Sequence, residues 1–179
     1  MSEYLLLILL VSFLSQASQW VGIHAGWLVL PVVAGALPSI YAMLRGAPHV
    51  PSDVRSVQRM IELAEIQPGE KVADLGCGDG RILRAAMQKG AHATGYELSV
   101  FLYLLARIRG CPVRYQNFWT ADLSQMDVVF CYLLPKSMTL FEESIYPQLK
   151  PGCRIIVNTF PLPCQKPSRI LGTIYRYDK

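Results

Sequence analysis

The residues whose types and spacing suggest chemistry are concentrated in one decapeptide, Val72–Arg81, with the sequence VADLGCGDGR. Its three glycines, at positions 76, 78 and 80, allow a tight turn and a close approach of the backbone to a ligand. Asp74 precedes them, and Asp79 lies between the last two. Glu97 follows at the end of the next predicted strand, where a carboxylate can accept hydrogen bonds from both hydroxyls of a ribose. The pattern therefore predicts a site for a ligand that contains a ribose.

Two classes of ligand fit this description, and the spacing of the glycines separates them. A dinucleotide site has two residues between its second and third glycines, so that a helix N-terminus meets the pyrophosphate. Here one residue separates Gly78 from Gly80. The carboxylates of Asp74 and Asp79 would repel a pyrophosphate but suit a ligand with an ammonium and a sulfonium group. The motif therefore predicts S-adenosylmethionine rather than NAD.

The elements around the motif alternate between strand and helix. Ser52 or Asp53 is expected to cap a first helix, and Gln67–Glu70 form a turn. The predicted strands are Lys71–Leu75, His92–Tyr96, Pro112–Tyr115, Asp127–Tyr132, Arg154–Thr159 and a short Gly172–Tyr177; the predicted helices are Arg81–Gln88, Ser99–Arg109 and Ser137–Leu149. This alternation predicts an α/β fold, with a doubly wound, mostly parallel, Rossmann-like sheet covered by helices on both faces. The glycine motif then follows the first strand, where such sheets bind ligands.

The first 45 residues differ in composition from the rest. Tyr4–Leu44 contains no Lys, Arg, Asp or Glu, and Trp20–Leu44 is long enough to cross a bilayer at about 1.5 Å per residue. We expect residues 1–45 to form a transmembrane anchor, either one kinked helix or a helical hairpin, and residues 46–179 to form the ligand-binding domain. Arg45, Arg55 and Arg59 follow the stretch, so the positive-inside rule places that domain on the cytoplasmic side. A cleaved signal peptide is disfavoured because no basic region precedes the apolar stretch.

Charge and cysteine content restrict the remaining possibilities. The formal net charge is +4, too small to indicate a nucleic-acid partner. The five cysteines include no CxxC pair and lack zinc-finger spacing, so we expect reduced, mostly buried thiols and no metal.

The motifs together resemble a known family. DLGCGDGR followed by GYE is similar to the first two signatures of class I (seven-strand) methyltransferases. More narrowly, residues 49–163 resemble the small membrane-anchored lysine methyltransferases related to those acting on the adenine nucleotide translocase and the c-subunit of ATP synthase. The segments that carry this likeness begin HVPSDVRSVQRMIELAEIQPGEK and continue with NFWTADLSQMDVVFCYLLP and FPLP.

This resemblance implies roles for individual residues. Asp74, Gly76, Gly78 and Asp79 would line the methionine part of the cofactor, with Cys77 and Gly80 in the same loop, and Glu97 would hold the ribose. Asn117 and Phe118 would meet the adenine, although family members commonly have an acid where this chain has Asn117. Either Phe118 or Trp119 would stack on the adenine ring, or both belong to the core.

The resemblance also implies an acceptor. Tyr132, after the fourth strand, is the candidate for orienting an amine, and packing is the alternative role for this residue. The segment NTFPLP (residues 158–163) is expected to shape the acceptor channel. The implied reaction is N-methylation of a lysine in a membrane protein. A small membrane-dissolved acceptor, such as a lipid or quinone, and a non-catalytic cofactor-binding scaffold are the alternatives.

Overall fold

The computed structural model describes residues 8, 9, 11–13, 15, 16 and 52–179. The chain divides into two compact units, Met1–Tyr41 and Ala42–Lys179. In the first unit the described residues are helical. The remaining residues of the expected anchor lie outside the described part. Among the described residues, no helix combines the length and apolar composition that crossing a bilayer requires.

The second unit is built on a seven-stranded sheet. The strands are β1 (Lys71–Leu75), β2 (His92–Glu97), β3 (Val113–Tyr115), β4 (Val128–Cys131), β5 (Arg154–Asn158), β6 (Arg169–Leu171) and β7 (Ile174–Asp178). Their order is β3-β2-β1-β4-β5-β7-β6. Strands β1 to β5 are parallel, whereas β7 is antiparallel to both β5 and β6. The predicted α/β class with a mostly parallel, doubly wound sheet is confirmed.

Four helices cover the sheet: α1 (Val54–Ala64), α2 (Arg81–Gln88), α3 (Val100–Ile108) and α4 (Pro135–Ser144). Helix α1 begins where expected, because the Asp53 carboxylate accepts hydrogen bonds from the backbone N–H groups of Arg55 and Ser56. It ends at Glu65, which adopts a left-handed conformation with φ of 48°. Helix α3 begins after Ser99, whose side chain caps it.

Two hydrophobic cores lie on opposite faces of the sheet. Successive residues of a strand point to opposite faces, so Val72 of β1 belongs to one core and Ala73 to the other. The first core is formed with α1, α2 and α3, through residues such as Met60, Leu83 and Ala106. The second is formed with α4, through Met138 and Phe141.

The structure corrects two element predictions. The predicted tail strand is part of a hairpin of β6 and β7, and β6 was not predicted. The predicted helix Ser137–Leu149 instead begins at Pro135, which suits the first turn of a helix, and ends at Ser144. A separate 3₁₀ turn, Tyr146–Gln148, follows it and contains Pro147, which has no backbone N–H for a continuing α-helix.

Candidate active site

The predicted site residues follow strands that share one direction. The glycine loop follows β1, Glu97 ends β2, Asn117 comes after β3 and Tyr132 comes after β4. Because β1 to β4 are parallel neighbours, these segments all lie at the carboxyl edge of the sheet. The fold therefore brings residues that are far apart in the sequence to one edge, where an open α/β sheet forms its binding crevice.

The glycine loop has a backbone that requires glycine. Gly76, Gly78 and Gly80 have φ values of 77°, 55° and 79°, in the region that residues with a Cβ rarely adopt. The N–H groups of Gly76 and Cys77 both donate to the Tyr96 carbonyl oxygen at 3.0 Å, which ties the loop to the end of β2. A Cβ at Gly76 would meet no atom within 4 Å, so open space lies beside this residue.

Glu97 is a buried carboxylate that organises the backbone around it. Its Oε2 accepts from the Gly78 N–H at 2.9 Å. Its Oε1 accepts from the N–H groups of Leu98 at 2.9 Å and Ser99 at 2.7 Å. The side chain therefore links the glycine loop to the start of α3, in addition to the ribose role that the sequence suggested.

Asp74 is the most unusual group at this edge. It is 3% exposed, and its Oδ2 is buried without a hydrogen-bond partner among the described residues. Burial, reinforced by the nearby charges of Glu97 and Asp79, raises the pKa of Asp74 to about 8. Buried polar atoms almost always have partners, so this oxygen points to a ligand that supplies a hydrogen-bond donor.

Asp79 occupies a different environment from Asp74. Its carboxylate accepts from Arg81 Nε at 2.9 Å and from Arg81 Nη2 at 3.1 Å, and it also forms an ion pair with Arg109. Burial opposes ionisation of Asp79, but the hydrogen bonds from the two arginines outweigh it and lower its pKa to about 2. The two aspartates therefore do not present two free negative charges to a ligand. Asp79 joins the glycine loop to the end of α3.

The arginine partners of Asp79 were not among the predicted site residues. Arg109 is thirty positions away in the sequence, at the C-terminal cap of α3, and no motif marks it. Arg81 belongs to the motif, and it also donates to the Ser52 carbonyl oxygen at the start of α1. The Ser52 hydroxyl in turn accepts from the Asn158 side-chain amide at 3.3 Å. These contacts connect the glycine loop to α1, α3 and the end of β5.

Cys77 contributes to the loop through its backbone N–H, and its thiol is not placed to react. Its side chain is buried, and burial raises the pKa of the thiol well above its ordinary value. A Cβ at Gly95 of β2 would lie 2.5 Å from Cys77 Sγ, so the glycine at position 95 makes room for the loop. Cys77, Cys111, Cys131 and Cys153 are buried and Cys164 is exposed, and all five are free thiols, as the sequence indicated.

The residues expected near the adenine form a compact turn. Asn117 Oδ1 accepts from the Trp119 N–H at 3.1 Å and so caps the 3₁₀ turn Phe118–Thr120. Phe118 is buried in the second core, and its ring centroid lies 4.7 Å from that of the half-buried Trp119. Of the two rings, Trp119 is the one that remains accessible.

The acceptor side of the edge contains Tyr132 and the end of β5. Tyr132 is half-buried, and its hydroxyl forms no hydrogen bond with any residue that the structure describes. Thr159 has a φ of 69°, which is unfavourable for a β-branched residue, and the Phe160 N–H donates to the Asn158 carbonyl oxygen across it. Backbone strain of this kind is concentrated at functional sites. Thr159 is the second residue of the NTFPLP segment (residues 158–163), which was expected to shape the acceptor channel.

These features fit S-adenosylmethionine. The Asp74 oxygen that has no partner among the described residues can accept from an ammonium group, and the open space beside Gly76 leaves room for a close approach. Glu97 Oε1 already accepts two N–H groups, but Oε2 accepts only one and keeps a lone pair for a ribose hydroxyl. Across residues 52–179 and the described part of the first unit, no cluster of His, Cys, Asp and Glu is arranged to bind a metal ion.

Comparison with known proteins gives one consistent family. The family model described as the ANTKMT methyltransferase domain matches residues 74–169. The mouse adenine nucleotide translocase lysine N-methyltransferase is 34% identical over 144 residues, which cover 73% of this chain and 62% of that protein. The chain thus spans somewhat less than two thirds of the mouse relative.

Two further relatives are named for the same reaction. The human lysine N-methyltransferase that is named for the c-subunit of ATP synthase is 30% identical over 185 residues, covering 91% of this chain and 77% of the relative. A protein-lysine N-methyltransferase from Saccharolobus islandicus is 31% identical over 134 residues, which cover 69% of this chain and 83% of that protein.

A solved structure supports both the fold and the ligand. An RNA methyltransferase from Salinibacter ruber, in complex with S-adenosyl-L-homocysteine, superposes with a TM-score of 0.68 at 33% identity. The match covers 72% of this chain and 93% of that one.

Proposed function

The chain belongs to the ANTKMT methyltransferase domain family, and from this we propose that it methylates the side-chain amine of a lysine in a membrane-associated protein. Relatives are named for a translocase and for the c-subunit of ATP synthase, which are membrane-associated proteins. The uncharged stretch Tyr4–Leu44 supports the same proposal, because an apolar anchor would confine the enzyme near such acceptors. We further propose that this stretch anchors the chain in the membrane, with the catalytic unit on the cytoplasmic side.

The structural observation that carries the catalytic part of this proposal, the binding of S-adenosylmethionine, is the buried Asp74 Oδ2 beside the glycine loop, which has no partner among the described residues. In the proposed complex Asp74 binds the ammonium group of S-adenosylmethionine, and Glu97 binds the ribose hydroxyls. The backbone of Gly76, Cys77, Gly78 and Gly80 lies against the methionine part. When bound, the cofactor supplies a methyl group that is already activated by the sulfonium charge.

The remaining residues orient the two reactants. Asn117 and Phe118 form the turn against which the adenine lies, and the accessible ring of Trp119 provides a stacking surface. Asp79 holds the loop in place through its ion pairs with Arg81 and Arg109.

Tyr132 and the end of β5 form the acceptor side. The protein must present a neutral amine, since an ammonium has no lone pair. The ammonium loses its proton to water before transfer. The Tyr132 hydroxyl and the backbone carbonyl groups of its loop then accept hydrogen bonds from the neutral amine, so that its lone pair faces the methyl group. For a reaction with an activated donor, alignment and exclusion of water are the main contributions of the protein.

The acceptor class can be tested with one labelling experiment. The full chain is incubated with membranes and methyl-labelled S-adenosylmethionine, and the products are separated into protein, organic extract and nucleic acid. We expect the label in protein, and hydrolysis should recover it as methylated lysine. Label in the organic extract would instead identify a lipid or quinone acceptor, and label in RNA would match the activity for which the Salinibacter ruber relative is named.

A matched variant makes the result specific. Asp74→Asn keeps the shape of the side chain but removes the charge that we assign to cofactor binding. It should abolish labelling of the same protein bands. Undiminished labelling by this variant would contradict the proposed site.

A further inference from the structure

Helix α3 has an apolar face that points away from the sheet. Its sequence, VFLYLLARI, contains only one fully buried residue, Ala106. Phe101, Leu104 and Ile108 are 71%, 51% and 83% exposed. Their spacing of three and four residues places them side by side on one face of the helix. In a helix that covers a sheet, the apolar residues normally face inward, so α3 presents an unpartnered hydrophobic surface to its surroundings.

The edge strand β3 extends this surface. It is the outermost strand on this side of the sheet. Tyr115 is 50% exposed, and its ring lies 5.6 Å from that of Tyr103 on α3. Contiguous exposed apolar side chains of this kind mark sites of interaction with proteins or membranes. We refer to Phe101, Leu104, Ile108 and Tyr115 as the α3 surface.

The charged residues in the segment that carries the α3 surface are all basic. Between Glu97 and Asp122 the chain contains Arg107, Arg109 and Arg114 but no acidic residue. Arg109 is paired with Asp79. Arg107 and Arg114 are exposed, and neither forms an ion pair with a carboxylate of any described residue. Arg107 therefore lies on α3 itself without a carboxylate partner among the described residues. Arg114 points to the opposite face of the sheet edge, because it is in register with Tyr96 of the second core.

We propose that the α3 surface binds an anionic lipid bilayer. Apolar side chains that enter the boundary between headgroups and acyl chains, flanked by basic residues that attract anionic headgroups, are the two features of interfacial membrane binding. A second copy of this chain is a weaker candidate, because the segment that carries the α3 surface has no acidic residue to pair with Arg107 of another copy.

The position of the α3 surface relates membrane contact to the active site. Helix α3 starts at the carboxyl edge, immediately after Glu97, and its end is joined to the glycine loop by the Arg109–Asp79 ion pair. Binding of this helix to a bilayer would hold the carboxyl edge beside the membrane. The proposal deepens the proposed function by identifying the surface that orients the domain, but it does not depend on which amine is methylated.

Photo-crosslinking in the full chain tests the proposal. The protein is reconstituted into phosphatidylcholine vesicles with or without phosphatidylglycerol, with p-benzoylphenylalanine introduced at Leu104 in one variant and at Ile170 in another. Ile170 is a matched control because it is 58% exposed and lies on β6, the strand at the opposite edge of the sheet. Mass spectrometry then measures protein–lipid adducts after irradiation. No cofactor or acceptor is present, so the result is independent of methyl transfer.

We expect severalfold more lipid adducts at position 104 than at position 170, and only in vesicles that contain phosphatidylglycerol. Arg107→Gln should reduce the adducts at position 104 severalfold, whereas Arg114→Gln, on the opposite face of the sheet edge, should reduce them less. Neither change should alter the affinity for S-adenosylhomocysteine. Equal lipid adducts at both positions would overturn the proposal. Adducts at position 104 to a second copy, or to residues 1–51 of the same chain, would overturn it as well.

Discussion

Three acidic side chains near the glycine loop illustrate how differently one charge type can be used. Asp79 is neutralised by two arginines, and Glu97 accepts three backbone hydrogen bonds. Asp74 alone retains a buried oxygen without a partner in the described part of the chain. Their environments differ accordingly: Asp79 stabilises the loop, Glu97 stabilises it and is also proposed to bind the ribose, and Asp74 is available to bind a cationic group.

Substitution of Glu97 separates its two contributions. Glu97→Ala leaves the N–H groups of Gly78, Leu98 and Ser99 without their acceptor, so we expect a lower urea midpoint. The same change should weaken binding of S-adenosylhomocysteine by roughly 1–3 kcal/mol in calorimetry. Glu97→Gln retains one oxygen for Leu98 and Ser99 and should lose affinity with a smaller loss of stability. The exposed Glu143→Gln serves as the control, and unchanged affinity in Glu97→Ala would refute the ribose assignment.

The raised pKa of Asp74 predicts how the stability of the ligand-free protein depends on pH. The folded state keeps a proton on Asp74 up to a pKa of about 8, whereas the unfolded chain releases it near the ordinary pKa of 3.8. The preferential protonation of Asp74 in the folded state therefore stabilises the fold fully below about pH 4, and this contribution to the free energy of unfolding is lost as the pH rises through about 8. Urea unfolding should show that the wild type loses stability between about pH 5 and pH 8 relative to Asp74→Asn. A constant difference between the two proteins across this range would contradict the assignment.

At the residue scale, the sequence predicted positions better than partners. Asp74 and Glu97 could be placed because one is the second-last residue of β1 and the other the last residue of β2, and apolar residues mark both strands clearly. The ion pair between Asp79 and Arg109 could not be predicted, because it joins residues thirty positions apart through the packing of α3. The ion pairs of Asp79 with two arginines are thus a structural finding that the sequence pattern did not predict.

At the scale of elements, close packing of the glycine loop against α3 can be tested with two glycines of similar conformation. Gly80 and Gly152 have φ values of 79° and 81°. A Cβ at Gly152 would meet nothing within 4 Å, whereas one at Gly80 would overlap Cys111 Sγ and lie 3.1 Å from Cys111 Cβ. Gly152→Ala should therefore cost about 1–2 kcal/mol of unfolding free energy from its left-handed backbone alone.

Gly80→Ala should cost about 1–3 kcal/mol more than that, because of the overlap. Adding Cys111→Ala to Gly80→Ala removes the overlapping sulfur, so the double-mutant cycle should show a favourable coupling between positions 80 and 111. Equal costs for the two glycine substitutions in urea unfolding would indicate that the loop and α3 are less closely packed than described.

The accuracy of the predicted elements followed the strength of their patterns. Strand β1 and helix α2 have the predicted bounds, because an apolar run and a glycine-rich turn delimit them. Strand β6 was missed because it has only three residues, none of them buried, so no hydrophobic periodicity marks it. Its pairing with β7 depends on a turn at Gly172, which has a φ of 65°.

At the scale of the whole molecule, the family comparisons confirm the predicted resemblance, the methyltransferase activity and S-adenosylmethionine as the cofactor. The two-unit organisation suggests how acceptor choice could be separated from catalysis. A chain that lacks residues 1–44 retains the complete sheet and all the described site residues. We expect it to bind S-adenosylhomocysteine normally but to methylate its membrane acceptor poorly. Full activity of the shortened chain toward membranes would show that tethering does not determine the acceptor.

If Asp74 binds the ammonium group of the cofactor, the ligand-free protein must release a proton when the cofactor binds. At about pH 7 most ligand-free molecules carry a proton on Asp74, since its pKa is about 8, and pairing with an ammonium favours the ionised form. Calorimetric titration with S-adenosylhomocysteine in two buffers of different ionisation enthalpy should therefore detect release of close to one proton. Asp74→Asn should release none and bind about 10- to 100-fold more weakly. Equal affinity of the two proteins, with no proton released by the wild type, would contradict the account.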